Sequence, residues 1–258
     1  MDGAMKRFCF YVLVLCLAAG CHSKSKEEGP GAANAKAVID LNAANHLLAL
    51  KRCPEAVQSY QQFLQNNPKD AGGWNMLGLA YICDEKPQQA VDAFKQALTI
   101  NSTYSDVHNN LGIAYMELKE YDLARGEFLK ALQDTTYPAS GPYFNLAQLA
   151  YRQQNYEESR ALAKKVITLM PKQAGAHLIY AMSLEKLGET DDAVAAYRTT
   201  LQQDPNSVDA CFHLADILVK QNHNCEAKEF YKRVIDADPL GDYGQKAIAA
   251  LKTVQCVH

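Results

Sequence analysis

The features that would make this chain an enzyme or a nucleic-acid binder are missing from it. There is no Gly-rich phosphate loop, no H-E-x-x-H and no serine in a nucleophile-elbow context, so the chemistry those motifs support has nothing to rest on. Positive charge is not in surplus: 26 Lys and Arg face 29 Asp and Glu, a formal net charge of −3. No basic stripe carries interleaved aromatics, which removes the electrostatic footprint of nucleic-acid binding. No apolar run reaches the roughly 20 residues that a spanning helix needs. A protein that binds other proteins, with no catalysis, no cofactor, no metal and no small-molecule substrate, is the class that remains.

The longest apolar run, FCFYVLVLCLAA, follows Lys6 and Arg7 and has the layout of a cleavable secretory signal over residues 1–20. It ends in Leu17-Ala18-Ala19-Gly20-Cys21, which resembles the lipobox of bacterial lipoproteins, so Cys21 is the expected lipidation site. Acyl chains there, at roughly 0.8 kcal/mol per buried methylene, would hold the protein on a bilayer without a transmembrane helix. His22 stands where aspartate is the family's usual inner-membrane signal, so the resemblance implies a periplasm-facing place on the outer membrane. Residues 21–36, rich in Gly, Ser and charge, have the composition of a flexible tether. Without the signal the chain keeps 24 Lys and Arg against 28 Asp and Glu.

A 34-residue register organises the rest. Pro68, Ser102 and Thr136, then Pro171, Pro205 and Pro239, mark its joints, with a single step of 35 between Thr136 and Pro171. Small residues recur at Ala56, Ala90, Ala124, Ser159, Ala193 and Ala227, and large ones four later at Tyr60, Phe94, Phe128, Tyr197 and Tyr231, with Ala163 the exception. Counting from Ala71, the second repeat has Trp74, Leu77-Gly78, Tyr81, Ala90, Phe94 and Ala97, which resemble the tetratricopeptide (TPR) positions. Gly78 and Gly112 let helix A of a repeat approach helix B closely, and Ala147, Ala181 and Ala215 occupy the same slot later. The expected fold is all-α: a right-handed TPR superhelix, or α-solenoid, of six helix-pair repeats over 37–241, with a capping helix over 242–258.

The register also places the cysteines. Cys53 and Cys83 fall at the A–B turns of adjacent repeats, and Cys225 and Cys256 repeat that relation at the other end, so two disulfides are expected, Cys53–Cys83 and Cys225–Cys256. Cys211 takes a bulky core position and is expected as a buried free thiol. His108 and His177 hold the same position and are read as packing residues. Cys211, His213, His223 and Cys225 look superficially like a zinc set, but Cys211 and His213 lie two apart on a helix and point about 200° apart, so they are not read as one.

In TPR arrays the concave wall is lined by helix A positions 2, 5, 9 and 12. The resemblance therefore implies a partner-binding groove of Leu41, Asn45, Asn75, Leu79, Asn109, Ile113 and Met116 from the first three repeats. The last three add Phe144, Gln148, Tyr151, Leu178, Met182, Phe212 and Asp216. The wall is mostly apolar and lacks the cations of a carboxylate clamp, which suits a helix or an extended apolar segment. At the irregular joint, 134–142, stands Asp-Thr-Thr-Tyr-Pro. Together with the lipobox and six repeats it resembles the type IV pilus pilotins of the PilF, PilW and Tgl group, whose D-x-x-Y-P segment matches Asp134, Tyr137 and Pro138. Pro138 cannot continue a helix and keeps Tyr137 extended, so a changed angle between two three-repeat halves is expected. The resemblance implies a pilotin that binds the secretin and promotes its localisation and multimerisation in the outer membrane. A general periplasmic TPR adaptor for envelope assembly or polysaccharide export is the alternative.

Overall fold

The computed structural model describes residues 41–255. The signal stretch, Cys21 with its tether, and Cys256 lie outside them. Among the described residues there are thirteen helices and no strand, and the chain divides into two compact units between Tyr137 and Pro138. The division falls inside the irregular joint.

The first unit holds α1 (Leu41–Ala49), α2 (Cys53–Asn66), α3 (Ala71–Cys83), α4 (Pro87–Ile100), α5 (Ser105–Glu117) and α6 (Tyr121–Ala131). Each helix packs on the next, so α3 is covered by both α2 and α4. The second unit holds α7 (Ser140–Arg152), α8 (Tyr156–Leu169), α9 (Ala174–Leu187), α10 (Thr190–Gln203), α11 (Val208–Lys220), α12 (Asn224–Ala237) and α13 (Asp242–Leu251). The final helix closes the stack against α12 and ends earlier than the sequence suggests, followed by a turn in which Val254 is buried.

Within each repeat the A–B turn has one geometry. Lys51, Glu85, Lys119, Gln154, Gly188 and Asn222 all have positive φ, between 54° and 80°. Each ends its helix in a Schellman motif: Glu120 N donates to Tyr115 O at 2.9 Å, and Lys119 N to Met116 O at 3.1 Å. Only Gly188 is spared the side-chain cost of that conformation, roughly 1 kcal/mol for the others, and the recovered carbonyl bonds offset it.

The joints between repeats share a second feature. At four of the six joints the carbonyl of the register residue is collected by a side chain six residues on: Trp74 Nε1 donates to Pro68 O (2.9 Å), His108 Nε2 to Ser102 O (3.0 Å), His177 Nε2 to Pro171 O (2.8 Å) and Gln245 Nε2 to Pro239 O (2.7 Å), while Pro205 O accepts from Arg233 instead. His108 and His177 therefore hydrogen-bond as well as fill space. His108 also sets Nδ1 2.6 Å from Glu127 Oε2. Helix starts are capped where the sequence allows: the Asp70 carboxylate accepts from Gly73 N at 2.7 Å, and Asn155 accepts from Glu158 N at 3.3 Å.

The small and large slots meet as the register requires. A Cβ placed on Gly78 would lie 2.4 Å from the Phe94 ring, and one on Gly112 2.5 Å from Phe128, so both glycines are needed for the approach. Both rings are fully buried, which contributes about 1.5–3 kcal/mol each. In three of the four repeats with alanine in the slot the register pairs it with a buried tyrosine: Ala44 with Tyr60, Ala181 with Tyr197 and Ala215 with Tyr231. The fourth repeat has Ala147 and Ala163. There Ser159 seals the contact instead, donating to Ala147 O at 2.9 Å and accepting from the Ser183 hydroxyl at 2.9 Å.

Candidate binding site

In the first unit the expected wall is largely interior. Leu79 and Ile113 are each 7% exposed, Met116 and Asn109 1%, and Asn75 7%. Asn110 Nδ2 donates to Asn75 Oδ1 at 3.0 Å, tying α5 to α3, so the fifth position lies in the seam between successive A helices. Leu41 is half-buried and Asn45 exposed, the latter accepting from the Tyr60 hydroxyl. Burial raises the Tyr60 hydroxyl far above its ordinary range.

The second unit divides in the same way. Phe144, Gln148, Leu178 and Phe212 are buried, and Tyr151, Met182 and Asp216 are half-exposed. Nine of the fourteen expected groove residues are thus buried, Asn75 among them through its bond to Asn110 on the neighbouring A helix. Aspartate at Ile113 or Phe144 would be a core defect before it was a binding defect. Gln148 Nε2 is buried and has no hydrogen-bond acceptor.

What the second unit does present is a cluster of aromatic rings and carboxylates. Glu185 Oε2 accepts from the Tyr197 hydroxyl at 2.6 Å and lies 3.0 Å from His213 Nδ1. His213 Nε2 is 3.1 Å from the Tyr243 hydroxyl, and its ring stacks on Tyr197 at 5.8 Å. Phe212 stacks on Tyr243 at 4.5 Å and meets Tyr231 edge-on at 6.0 Å. The Tyr231 hydroxyl donates to Asp216 Oδ1 at 2.5 Å. Burial opposes ionisation of Glu185, but the hydrogen bond and charge of His213, with the Tyr197 hydroxyl, outweigh it and hold the carboxyl below its usual range. Burial first, and the Glu185 charge second, push Tyr197 well up. Tyr243 comes from α13, outside the repeat register, so the fourteen-residue wall did not contain it.

The irregular joint is wired to the third repeat. Asp134 Oδ1 accepts from Thr136 N at 2.9 Å and from its hydroxyl at 2.6 Å, while Oδ2 accepts from the Ser105 hydroxyl at 2.8 Å. The Tyr137 side chain hydrogen-bonds Asp106. Asp134 and Tyr137 thus grip the first turn of α5 from the far end of the unit. The Thr136 hydroxyl, then that of Ser105, hold the Asp134 carboxyl below its usual range. Burial raises that of Asp106, Tyr137 draws it back, and the Asp134 charge adds to the rise.

Models of the tetratricopeptide repeat match residues 41–105, 84–136, 145–170 and 184–251. The chain belongs to the tetratricopeptide-repeat proteins. This TPR protein is 25% identical over 204 residues to the protein O-mannosyl-transferase TMTC3 of Homo sapiens, covering 77% of the chain but 22% of that protein. It is 26% identical over 157 residues to the type IV pilus assembly protein PilF of Pseudomonas aeruginosa, covering 60% of the chain and 62% of PilF. The chain thus spans less than two-thirds of these curated relatives. The solved PilF structure superposes with a TM-score of 0.70 at 21% identity, over 81% of this chain and 95% of the solved chain. That of PilW, a type IV pilus biogenesis factor, superposes at 0.73 and 20% identity, over 84% of this chain and all of the solved chain.

In this TPR protein Cys53 and Cys83 are disulfide-bonded, with Cα atoms 5.5 Å apart, joining the start of α2 to the end of α3. Cys225 is disulfide-bonded too, and its expected partner Cys256 lies outside the described residues. Cys211 is a free thiol, 2% exposed, and burial pushes its titration up. No helix among the described residues is long and apolar enough to cross a membrane, and none of their side chains form a group of three or more His, Cys, Asp or Glu suited to a metal.

Proposed function

We propose that this TPR protein is a pilotin: lipidated at Cys21 and carried to the outer membrane, it binds the type IV pilus secretin and promotes the secretin's localisation and multimerisation. The observation that carries the reading is its relation to PilF, a named type IV pilus assembly protein, over 157 residues. The Asp134–Tyr137 joint adds to it, because a segment matched to that family on sequence is also one this chain holds in place with four hydrogen bonds. Binding and delivery are the whole mechanism: the lipid directs the complex, the tether gives reach, and the repeats hold a secretin segment until rings form. A deletion strain scored for heat-resistant secretin multimers and surface pili tests it. The expected result is monomeric secretin and no pili. Normal multimers and pili would remove the pilotin reading and leave a general envelope adaptor.

A further inference from the structure

The two disulfides differ in access. Cys53 and Cys83 are each 7% exposed, whereas Cys225 is exposed and stands second in α12, two residues after an exposed His223. An open depression of about 360 Å³, with His223, Cys225, Glu226 and Gln255 in its lining, gives an incoming thiol room to reach the sulfur. The His223 side chain makes no cap hydrogen bond, so the first turn of α12 keeps the positive end of the helix dipole, which stabilises the thiolate that reduction would leave at Cys225. Glu226 would oppose that charge, but its carboxylate is paired to Arg198 at 2.7 Å. A disulfide that is exposed and has its reduced form stabilised is the labile kind. The same bond closes a strap: Asn224 Nδ2 donates to Gln255 O at 2.9 Å, which sets the chain neighbours of Cys225 and Cys256 together, and Val254 is buried in the core of the second unit. The strap follows α13, whose Tyr243 covers Phe212 at 4.5 Å.

We infer that the Cys225 disulfide, with Cys256 as its expected partner, is a thiol-exchange site for a protein dithiol, and that its opening and closing unlatches and latches the capping helix α13 while Cys53–Cys83 stays shut. A thiolate of the dithiol bonds one sulfur of the disulfide and expels the other as a thiolate, which takes up a proton. The second thiol of the dithiol then attacks the mixed disulfide and releases the remaining cysteine. Two electrons and two protons pass to this chain, and the dithiol leaves as a disulfide. The reverse steps close the latch. None of this requires the bound partner to be a secretin.

The test takes the full chain with its disulfides formed, adds dithiothreitol in steps and maps the alkylated cysteines by mass spectrometry. Cys225 and Cys256 should be labelled at least about tenfold faster than Cys53 and Cys83. Thioredoxin with its resolving cysteine replaced by serine should be trapped on Cys225 or Cys256. Equal rates, earlier opening of Cys53–Cys83, or trapping on Cys53 or Cys83 would overturn the exchange site. Hydrogen exchange of the selectively reduced chain should quicken over residues 242–255, stay unchanged in α9 and α10, and slow again on reoxidation. Unchanged exchange over 242–255 would overturn the latch, and so would quickening throughout the second unit, which would make the bond a staple of the whole stack.

Discussion

Replacing Cys53 and Cys83 together by alanine tests how the first two repeats are held. The bond spans a sequence separation of 30, and loop closure of that length removes about 12 cal/mol/K from the unfolded chain, about 3.6 kcal/mol at 25 °C. Both residues are 7% exposed, so the lost sulfurs add a small packing loss to the entropic one. The loss should fall on α1 and α2, because the terminal repeat of a stack has a single neighbour to support it. Urea unfolding of the double variant, with hydrogen exchange to locate the change, measures both quantities. Reductant alone is a poorer probe, since it also opens the bond at Cys225. Expected are a loss of about 3–4 kcal/mol and early exchange across residues 41–66, with α9 to α12 unchanged. A loss below about 1 kcal/mol, or one spread over α9 to α12, would refute the argument.

Two further outcomes follow from the packing. Gly112→Ala puts a methyl 2.5 Å from the Phe128 ring, and overpacking of about 1–3 kcal/mol should exceed the gain of up to about 1 kcal/mol in helix propensity. Thermal melts should show destabilisation, and the double variant with Phe128→Leu should lose less than the two single losses together. Asp134→Ala should release the joint from Ser105 and lower the melting temperature at neutral pH. Because folding depresses the Asp134 carboxyl, its contribution is complete above the ordinary carboxylate range and is lost as pH falls through the lowered folded value. A difference between wild type and variant that stayed constant into strong acid would contradict that origin.

The repeats were legible because their signals recur. Small residues, rings and joint prolines return on a 34-residue period, and the A–B turns at Cys53 and Cys83 follow from that register. The turn residues were not legible. Lys51, Glu85, Lys119, Gln154 and Asn222 adopt positive φ without being glycine, though their spacing, with its one step of 35, keeps step with Gly188. Position in the repeat also misjudged exposure, since it says which face a side chain takes and not how near the next helix comes. Asn75, read as groove, is bonded to Asn110 in a seam. The aromatic cluster escaped notice because Tyr243 arrives from the capping helix, to which the period does not apply.

The fit between small slot and ring bears on how such a chain can be rearranged by descent. Gly78 is cut to Phe94 and Gly112 to Phe128, while Ala181 sits with Tyr197, Ala215 with Tyr231, and Ala147 with Ala163. A recombination crossover at an A–B turn would hand one repeat's slot to another's ring, and joining Ala147 to Phe128 would place a methyl in a space this chain keeps for hydrogen. A crossover at a proline joint moves slot and ring together. The heritable module is therefore the stretch from one joint to the next, and drift in either partner of a pair is constrained until the other has changed.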